Sequence, residues 1–432
     1  MGMRIVALAA ALCIAVSATF AAVPFNNTFT LVNAGGFGLY QVEYGASYRP
    51  LNLFSAPFYL CFYNTTPGAY TLALRMGTVR SESLMIWAWE ANRGKPVGEN
   101  AVFALRGDGN LVLAEADGSV VWESGTTDVG VLGCKVLPTG NIVLYGRNNK
   151  YLWQSFDHPT DSLLVGQSLQ IESVSRLVSR KSDKVNADGP YSLEIEPTRL
   201  GLYYTTPTDQ HGYIYFNTRN WLEVRDGQLT KVTLSTSPKR NVTDTYEVSL
   251  NYQGGNSSAG KAVLARTKNN PIYSLLRLTV DGDLQLYVYD DNDDQGGAWK
   301  IAFKLFDAQQ GIADGCQLPD RCGEFGLCEK GKCVSCPTTG KAWSASCRAP
   351  RVTSCRRFAY MKLAGVIHFG SAYSSGDGPM EVSQCREVCS VECTCVGYFY
   401  DEKTSMCSQV NVLKTLIRVN DTSRLAFIKV PT

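Results

Sequence analysis

The stretch RGDGNLVLAEADGSVVWES (residues 106–124) is followed by LPTGNIVLYGRNNKYLWQS (137–155), which repeats it at an offset of 31 residues. Asn110 matches Asn141, Val112 matches Val143, Trp122 matches Trp153 and Ser124 matches Ser155. Each copy reads as a glycine-containing turn, a strand, a second polar turn and a strand ending on tryptophan. Hairpin units of this kind bury their aromatic face only by packing on one another, so the repeat predicts a β-architecture built from similar pieces. A third, weaker copy is LTVDGDLQLYVYDDNDDQGGAWK (278–300), with Asp283 in the asparagine's place and Trp299 in the tryptophan's. Alternate residues of a strand share a face. Arg106, Asp108, Asn110 and Val112 are therefore expected to line one side, as the wall of a shallow groove.

The surrounding sequence agrees with a β-protein. The segments PYSLEIEP, LGLYYTTP, GYIYFNT and TYEVSLNY between residues 166 and 310 are strand-like and helix-poor. At 432 residues the chain has room for several domains. Its 41 basic and 39 acidic residues give a net charge of +2, which argues against a nucleic-acid partner. The start, MGMRIVALAAALCIAVSATFAA, has a basic residue, a short apolar run and small residues near Ala21, the pattern of a removed signal peptide. No later segment has the length of a membrane span, so a secreted product is expected.

Cysteine usage fits an oxidising compartment. Of the 15 cysteines, Cys13 lies in the leader, Cys61 and Cys134 stand alone in the first third, and the rest fall between Cys316 and Cys407. Cys61–Cys134 is the pair that the first domain offers, a bond worth about 4 kcal/mol on the chain-entropy estimate. The glycine-punctuated run DGCQLPDRCGEFGLCEKGKCVSCP holds too little apolar surface to fold without disulfides. In CREVCSVECTCVGYFYDEKTSMC, Cys385 and Cys389 lie one helical turn apart, and CTCVGYFY reads as a strand presenting Cys393 and Cys395 on one side. Sequons at Asn26, Asn64, Asn241, Asn256 and Asn420 are expected to carry glycans if exposed.

These residues resemble a known arrangement. The turn-strand repeats are similar to the Gln-x-Asp-x-Asn-x-Val-x-Tyr strands of bulb-type, mannose-binding plant lectins, whose fold is a three-sided β-prism. IWAWEANRGKPV (86–97) and LWQSFDHPTDSLLVGQ (152–167) resemble the lectin part of S-locus glycoproteins and S-domain receptor kinases. CQLPDRCGEFGLC resembles their EGF-like module, and the Cys385–Cys407 stretch their PAN/apple module. VPFNNTFTLVN and LCFYNTTPGAYTLALRMG bring the chain nearer to the epidermis-specific secreted glycoproteins of plants, which lack a kinase.

The resemblance implies a predominantly all-β fold of tandem β-prism (bulb-type lectin) domains, a small disulfide-rich EGF-like module and an α+β PAN/apple module. The expected organisation is a signal peptide (1–22), a lectin domain (23–165), a degenerate lectin-like domain (166–310), an EGF-like module (311–350) and a PAN/apple-like domain (351–432). It also implies pairing of Cys385 with Cys407 and Cys389 with Cys395. In such lectins the motif's polar residues hold the mannose hydroxyls, the valine packs on the ring and the tyrosine closes one side. The first copy keeps Asp108, Asn110 and Val112 but has Arg106 and Ala114 at the other positions. The second keeps Asn141, Val143 and Tyr145 but has Leu137 and Thr139, and the third reads Thr279, Asp281, Asp283, Gln285 and Tyr287. None is complete, and an unpaired polar group costs about 1–3 kcal/mol, so a mannose site here is expected to be weak or lost.

Other motifs are set aside. GNSSAGKA (255–262) lacks the Ser or Thr of a phosphate-binding loop, CVSC (333–336) has no histidine beside it, and DDNDD (290–294) lacks calcium-loop spacing. Asp157, His158 and Asp161 are rich in turn chemistry and need no catalytic role. The expectation is a secreted, non-catalytic glycoprotein of the apoplast or cell wall, without cofactor or metal. It would bind glycans, mannose-containing ones among them, or a secreted or wall protein. A structural wall glycoprotein with an inert lectin face, or a regulator of a secreted enzyme, stays open.

Overall fold

The computed structural model describes residues 22–77, 84–207, 209–219, 227–239, 242–254, 259–267, 273–289, 299–307, 312–352, 357–374 and 376–432. Strands dominate, and Val382–Val391 is the one α-helix among the described residues. Three antiparallel sheets enclose a first core. One runs Phe29–Val32, Val102–Leu105, Leu111–Ala114, Val120–Glu123; another Gly133–Val136, Ile142–Tyr145, Tyr151–Gln154; the third Ser47–Ser55, Phe58–Thr66, Ala69–Met76, Ile86–Glu90. Leu72 and Leu74, Phe103 and Leu105, Leu111 and Leu113, Ile142 and Leu144 meet inside, alternating with outward residues as the pleat demands. The repeated glycines Gly109 and Gly140 take φ +92° and +83°, a conformation that side-chain-bearing residues rarely adopt.

Three further sheets enclose a second core. They run Ser162–Leu164, Tyr273–Leu278, Leu284–Tyr289, Trp299–Lys304; Ser168–Gln170, Gly227–Lys239, Val242–Gly254, Ala259–Arg266; and Arg176–Arg180, Asp188–Glu196, Arg199–Thr206, Asp209–Asn217. The third sequence copy lies in the first of these sheets, in the second body rather than beside its two relatives. That sheet serves both cores. Leu163, Leu276 and Leu286 pack into the second, while Leu164, Leu275, Tyr287 and Trp299 pack against the first.

Facing sheets explain the unbroken apolar texture of FYLCFY and IWAWE. Leu60, Phe62 and Trp89 point into the first core, whereas Cys61, Tyr63, Ala73 and Trp87 form a separate buried cluster on the opposite face. This corrects the expected Cys61–Cys134 bond. Cys134 packs against the first core, across the sheet from Cys61, and both remain free thiols. Burial pushes each thiol up to about 12.

The second face is sealed by charge. Arg180 Nη1 reaches Glu90 (3.2 Å) and the Tyr63 hydroxyl (2.5 Å). Arg93 bridges Glu90 (2.6 Å) and Asp161 (2.9 Å) and donates to the Val178 carbonyl (2.9 Å). Arg277 binds Glu43 (2.5 Å), the Ser162 hydroxyl (3.0 Å) and the Trp87 carbonyl. Burial pushes both acids beside Arg277 up, and at Asp161 the two guanidinium groups overcome it and hold the carboxyl below its usual range.

In the C-terminal part, Cys316–Cys328, Cys322–Cys333 and Cys336–Cys347 tie the cysteine-dense run. Its strand Phe325–Glu329 pairs in parallel with Lys414–Arg418, so this run shares a sheet with the end of the chain. The helix starts at a capping box in which the Glu381 amide donates to Gln384 Oε1 (2.9 Å). It is joined through Cys385–Cys407 to the strand Met406–Val410 and through Cys389–Cys395 to the turn that follows it. The strand read at CTCVGYFY begins only at Gly397, because Cys393, itself disulfide-bonded, lies in that turn. His368 is buried where this part meets the second core. Its Nδ1 accepts the Gly370 amide (3.3 Å) and its Nε2 faces the Val412 carbonyl (3.1 Å).

Arg277→Met leaves the buried Glu43 carboxylate without its guanidinium partner, while Asp161 keeps Arg93, and is expected to cost about 3–5 kcal/mol in urea unfolding. Burial lowers His368 from 6.5 to about 3, so the unfolded chain takes up this proton first as pH falls. The folded state then loses up to about 1.4 kcal/mol per pH unit between those values, and melting temperatures from pH 4 to 7 should show a shallower slope in His368→Gln.

Candidate functional site

The turn Arg106–Asn110 precedes its strand instead of belonging to it, so the expected row from Arg106 to Val112 does not form. Asp108 is exposed and its Oδ1 accepts the Asn110 amide (2.9 Å). Asn110 is buried with both ends of its side chain engaged. Its Nδ2 donates to Glu123 (2.7 Å), and its Oδ1 accepts from the Ser124 hydroxyl (3.1 Å) and the Thr126 amide (3.2 Å).

Asn141 repeats the pattern, donating to Gln154 (2.9 Å) and accepting from the Ser155 hydroxyl (3.3 Å) and the Phe156 amide (3.2 Å). In the third copy Asp283 accepts the Phe306 amide (3.2 Å) and Gln285 Nε2 (2.9 Å). Each residue thus pins the start of its hairpin to the segment leaving it. Val112 and Val143 are buried in mid-sheet. Tyr145 remains partly exposed, with the Lys135 ammonium 4.8 Å above its ring.

The tryptophans that end the hairpins converge. Trp89, Trp122 and Trp153 come from the three different sheets of the first body and meet edge to face, with centroids 6.1, 6.2 and 5.7 Å apart. The His158 ring stacks on Trp153 at 5.4 Å, and the His158 carbonyl accepts Trp89 Nε1–H (2.8 Å). Partial burial lowers the imidazole below 6.5 despite the neighbouring Asp157. A cavity of about 460 Å³ opens over this cluster. Its other wall comes from the second body through Arg176, Val178 and Asp188.

Trp89 escaped the sequence reading because its hairpin lacks the leading asparagine. Asn92, after the strand, makes the equivalent brace by accepting the Leu72 amide (2.8 Å). Asp161 does not pair with Asp157 as a catalytic couple, since it is committed to Arg93 and Ser162. Asn26 and Asn420 are exposed, Asn241 and Asn256 lie outside the described residues, and Asn64 is 9% exposed, which corrects its place among the expected glycan carriers.

Residues 86–182, which include all three tryptophans, match the D-mannose binding lectin family. That match marks this segment as a lectin-type domain. Among relatives, the epidermis-specific secreted glycoprotein EP1 of Daucus carota is 46% identical over 363 residues, covering 80% of this chain and 93% of that protein. EP1-like glycoprotein 4 of Arabidopsis thaliana is 42% identical over 421 residues, covering 95% and 93%. The chain belongs to this family of EP1-like secreted glycoproteins. A putative receptor protein kinase of Zea mays is 28% identical over 340 residues, 74% of this chain but 38% of the kinase. Among the described residues no helix is long and apolar enough to cross a membrane.

The bracing role predicts a stability phenotype. Asn110→Ala and Asn141→Ala each strand buried amides and are expected to cost about 1–3 kcal/mol, read as a lowered urea midpoint.

Proposed function

We propose that the protein is a non-catalytic glycan-binding glycoprotein of the extracellular space. The observation that carries this reading is the D-mannose binding lectin match across residues 86–182, the segment whose three sheet ends meet at the tryptophan cluster. The strand-borne mannose positions contribute little to it. Asn110 and Asn141 are spent on internal bonds, Val112 and Val143 are buried, and Asp108 shapes a turn. Tyr145, partly exposed beneath Lys135, is the strand residue of the motif that still reaches solvent. Low affinity at any one site is compensated when several glycan ends are presented together, because the second contact forms at high effective concentration.

A glycan array at high protein density tests the proposal. The wild-type protein is expected to bind hexose-terminated glycans, and Tyr145→Ala to retain that binding within about threefold, less than the loss of one good hydrogen bond. A blank array would refute the glycan reading and turn the search to a secreted or wall protein. Binding abolished by Tyr145→Ala alone would return recognition to the strand.

A further inference from the structure

We propose that the cavity between the two three-sheet bodies is a subsite for one neutral pyranose ring, separate from the strand motif. The inference rests on the glycan-binding reading above and gives it a location. At about 460 Å³ the cavity falls within the range of small-molecule sites, roughly 300–1,000 Å³, and it lies where such sites favour, between two packed bodies.

Its chemistry is that of a polyol site. The half-buried indole of Trp122, with the His158 ring stacked on Trp153, offers an aromatic floor for the C–H face of a sugar ring, and the buried indoles of Trp89 and Trp153 back it edge to face. Trp89 has its N–H satisfied by the His158 carbonyl, which fixes the floor's orientation. Around it stand hydrogen-bond acceptors. Glu123 uses one oxygen on Asn110, Asp157 uses one on Gln154, and Asp188 has a side chain 70% exposed with Arg93 3.9 Å away. Ionised carboxylates accept without donating, so they match hydroxyl groups, which must donate.

The charge balance selects among sugars. Arg93 is consumed by Glu90, Asp161 and the Val178 carbonyl, leaving exposed Arg176 as the lining cation with no protein partner among the described residues. Three carboxylates facing one open guanidinium repel a uronate or a sialate and accept a neutral ring. The same argument explains why the site needs both bodies. The first supplies the aromatic floor, and the second supplies Arg176 and Asp188.

The test uses the full mature chain and four probes: methyl α-mannopyranoside, methyl β-glucopyranoside, methyl β-galactopyranoside and glucuronate. Titrations follow tryptophan fluorescence, and the array is run in parallel. At least one neutral glycoside is expected to give a saturable change, with glucuronate giving none. Asp157→Ala combined with Arg176→Ala, both surface changes, is expected to weaken that change and the array signal about tenfold or more. The melting temperature should stay the same. Unaltered sugar and array binding in the double variant would overturn the subsite while leaving glycan binding intact. A preference for glucuronate would overturn the neutral-ring assignment. A blank wild-type array with silent titrations would remove both the subsite and the glycan reading.

Discussion

The fold depends on keeping its buried charges paired. Glu43, Glu90, Asp161, Arg93, Arg180 and Arg277 all lie within the seam between the two three-sheet bodies. An ion removed from water without a partner costs several kcal/mol, so each of these groups is tolerable only in the arrangement observed. Arg277 is brought by the strand Tyr273–Leu278, Arg180 by Arg176–Arg180 and Glu90 by Ile86–Glu90, strands far apart in the chain. The pairing therefore restricts how the bodies can dock more tightly than apolar burial does, because a greasy face accepts many registers and a chain of directional charge-assisted hydrogen bonds accepts few. The cavity over the tryptophan cluster is tied to the same seam, since Arg93 joins the seam to the cavity wall.

Sharing a sheet reinforces the docking. In the sheet that begins at Ser162–Leu164, Leu163 faces one core and Leu164 the other. Successive side chains of a strand must point to opposite faces, so a strand buried on both sides loses its polar alternation. This is why SLL, FYLCFY and IWAWE read as continuous apolar runs, and why the free thiol of Cys61 ends up across a sheet from Cys134.

The repeat at 106–155 was legible because turn glycine, asparagine and tryptophan recur at fixed spacing, and it leads directly to the three-sheet body. The functional face was not. A sequence shows that Asn110 and Asn141 recur without showing where their amides point, and a sugar-binding asparagine and a hairpin-bracing one occupy the same position in the pattern. Trp89 was hidden because Asn92 braces its hairpin from the other end of the strand. The ion network was invisible for a different reason. Its members are single charged residues scattered from Glu43 to Arg277, and only the tertiary fold brings them within hydrogen-bond reach.

The brace also accounts for which parts of the mannose pattern are retained in this chain. A residue that only contacts ligand can change without consequence for folding, and the first and last motif positions, Arg106 with Ala114 and Leu137, differ from the pattern. The middle position is bound on both sides to its own hairpin, through the Thr126 amide in one copy and the Phe156 amide in the next. Losing it leaves buried backbone groups without partners whether or not sugar is ever bound. Folding alone is thus sufficient to hold the asparagine in place. The tryptophans are held in the same way, since they close the core at the meeting point of three sheets while lining the cavity above it.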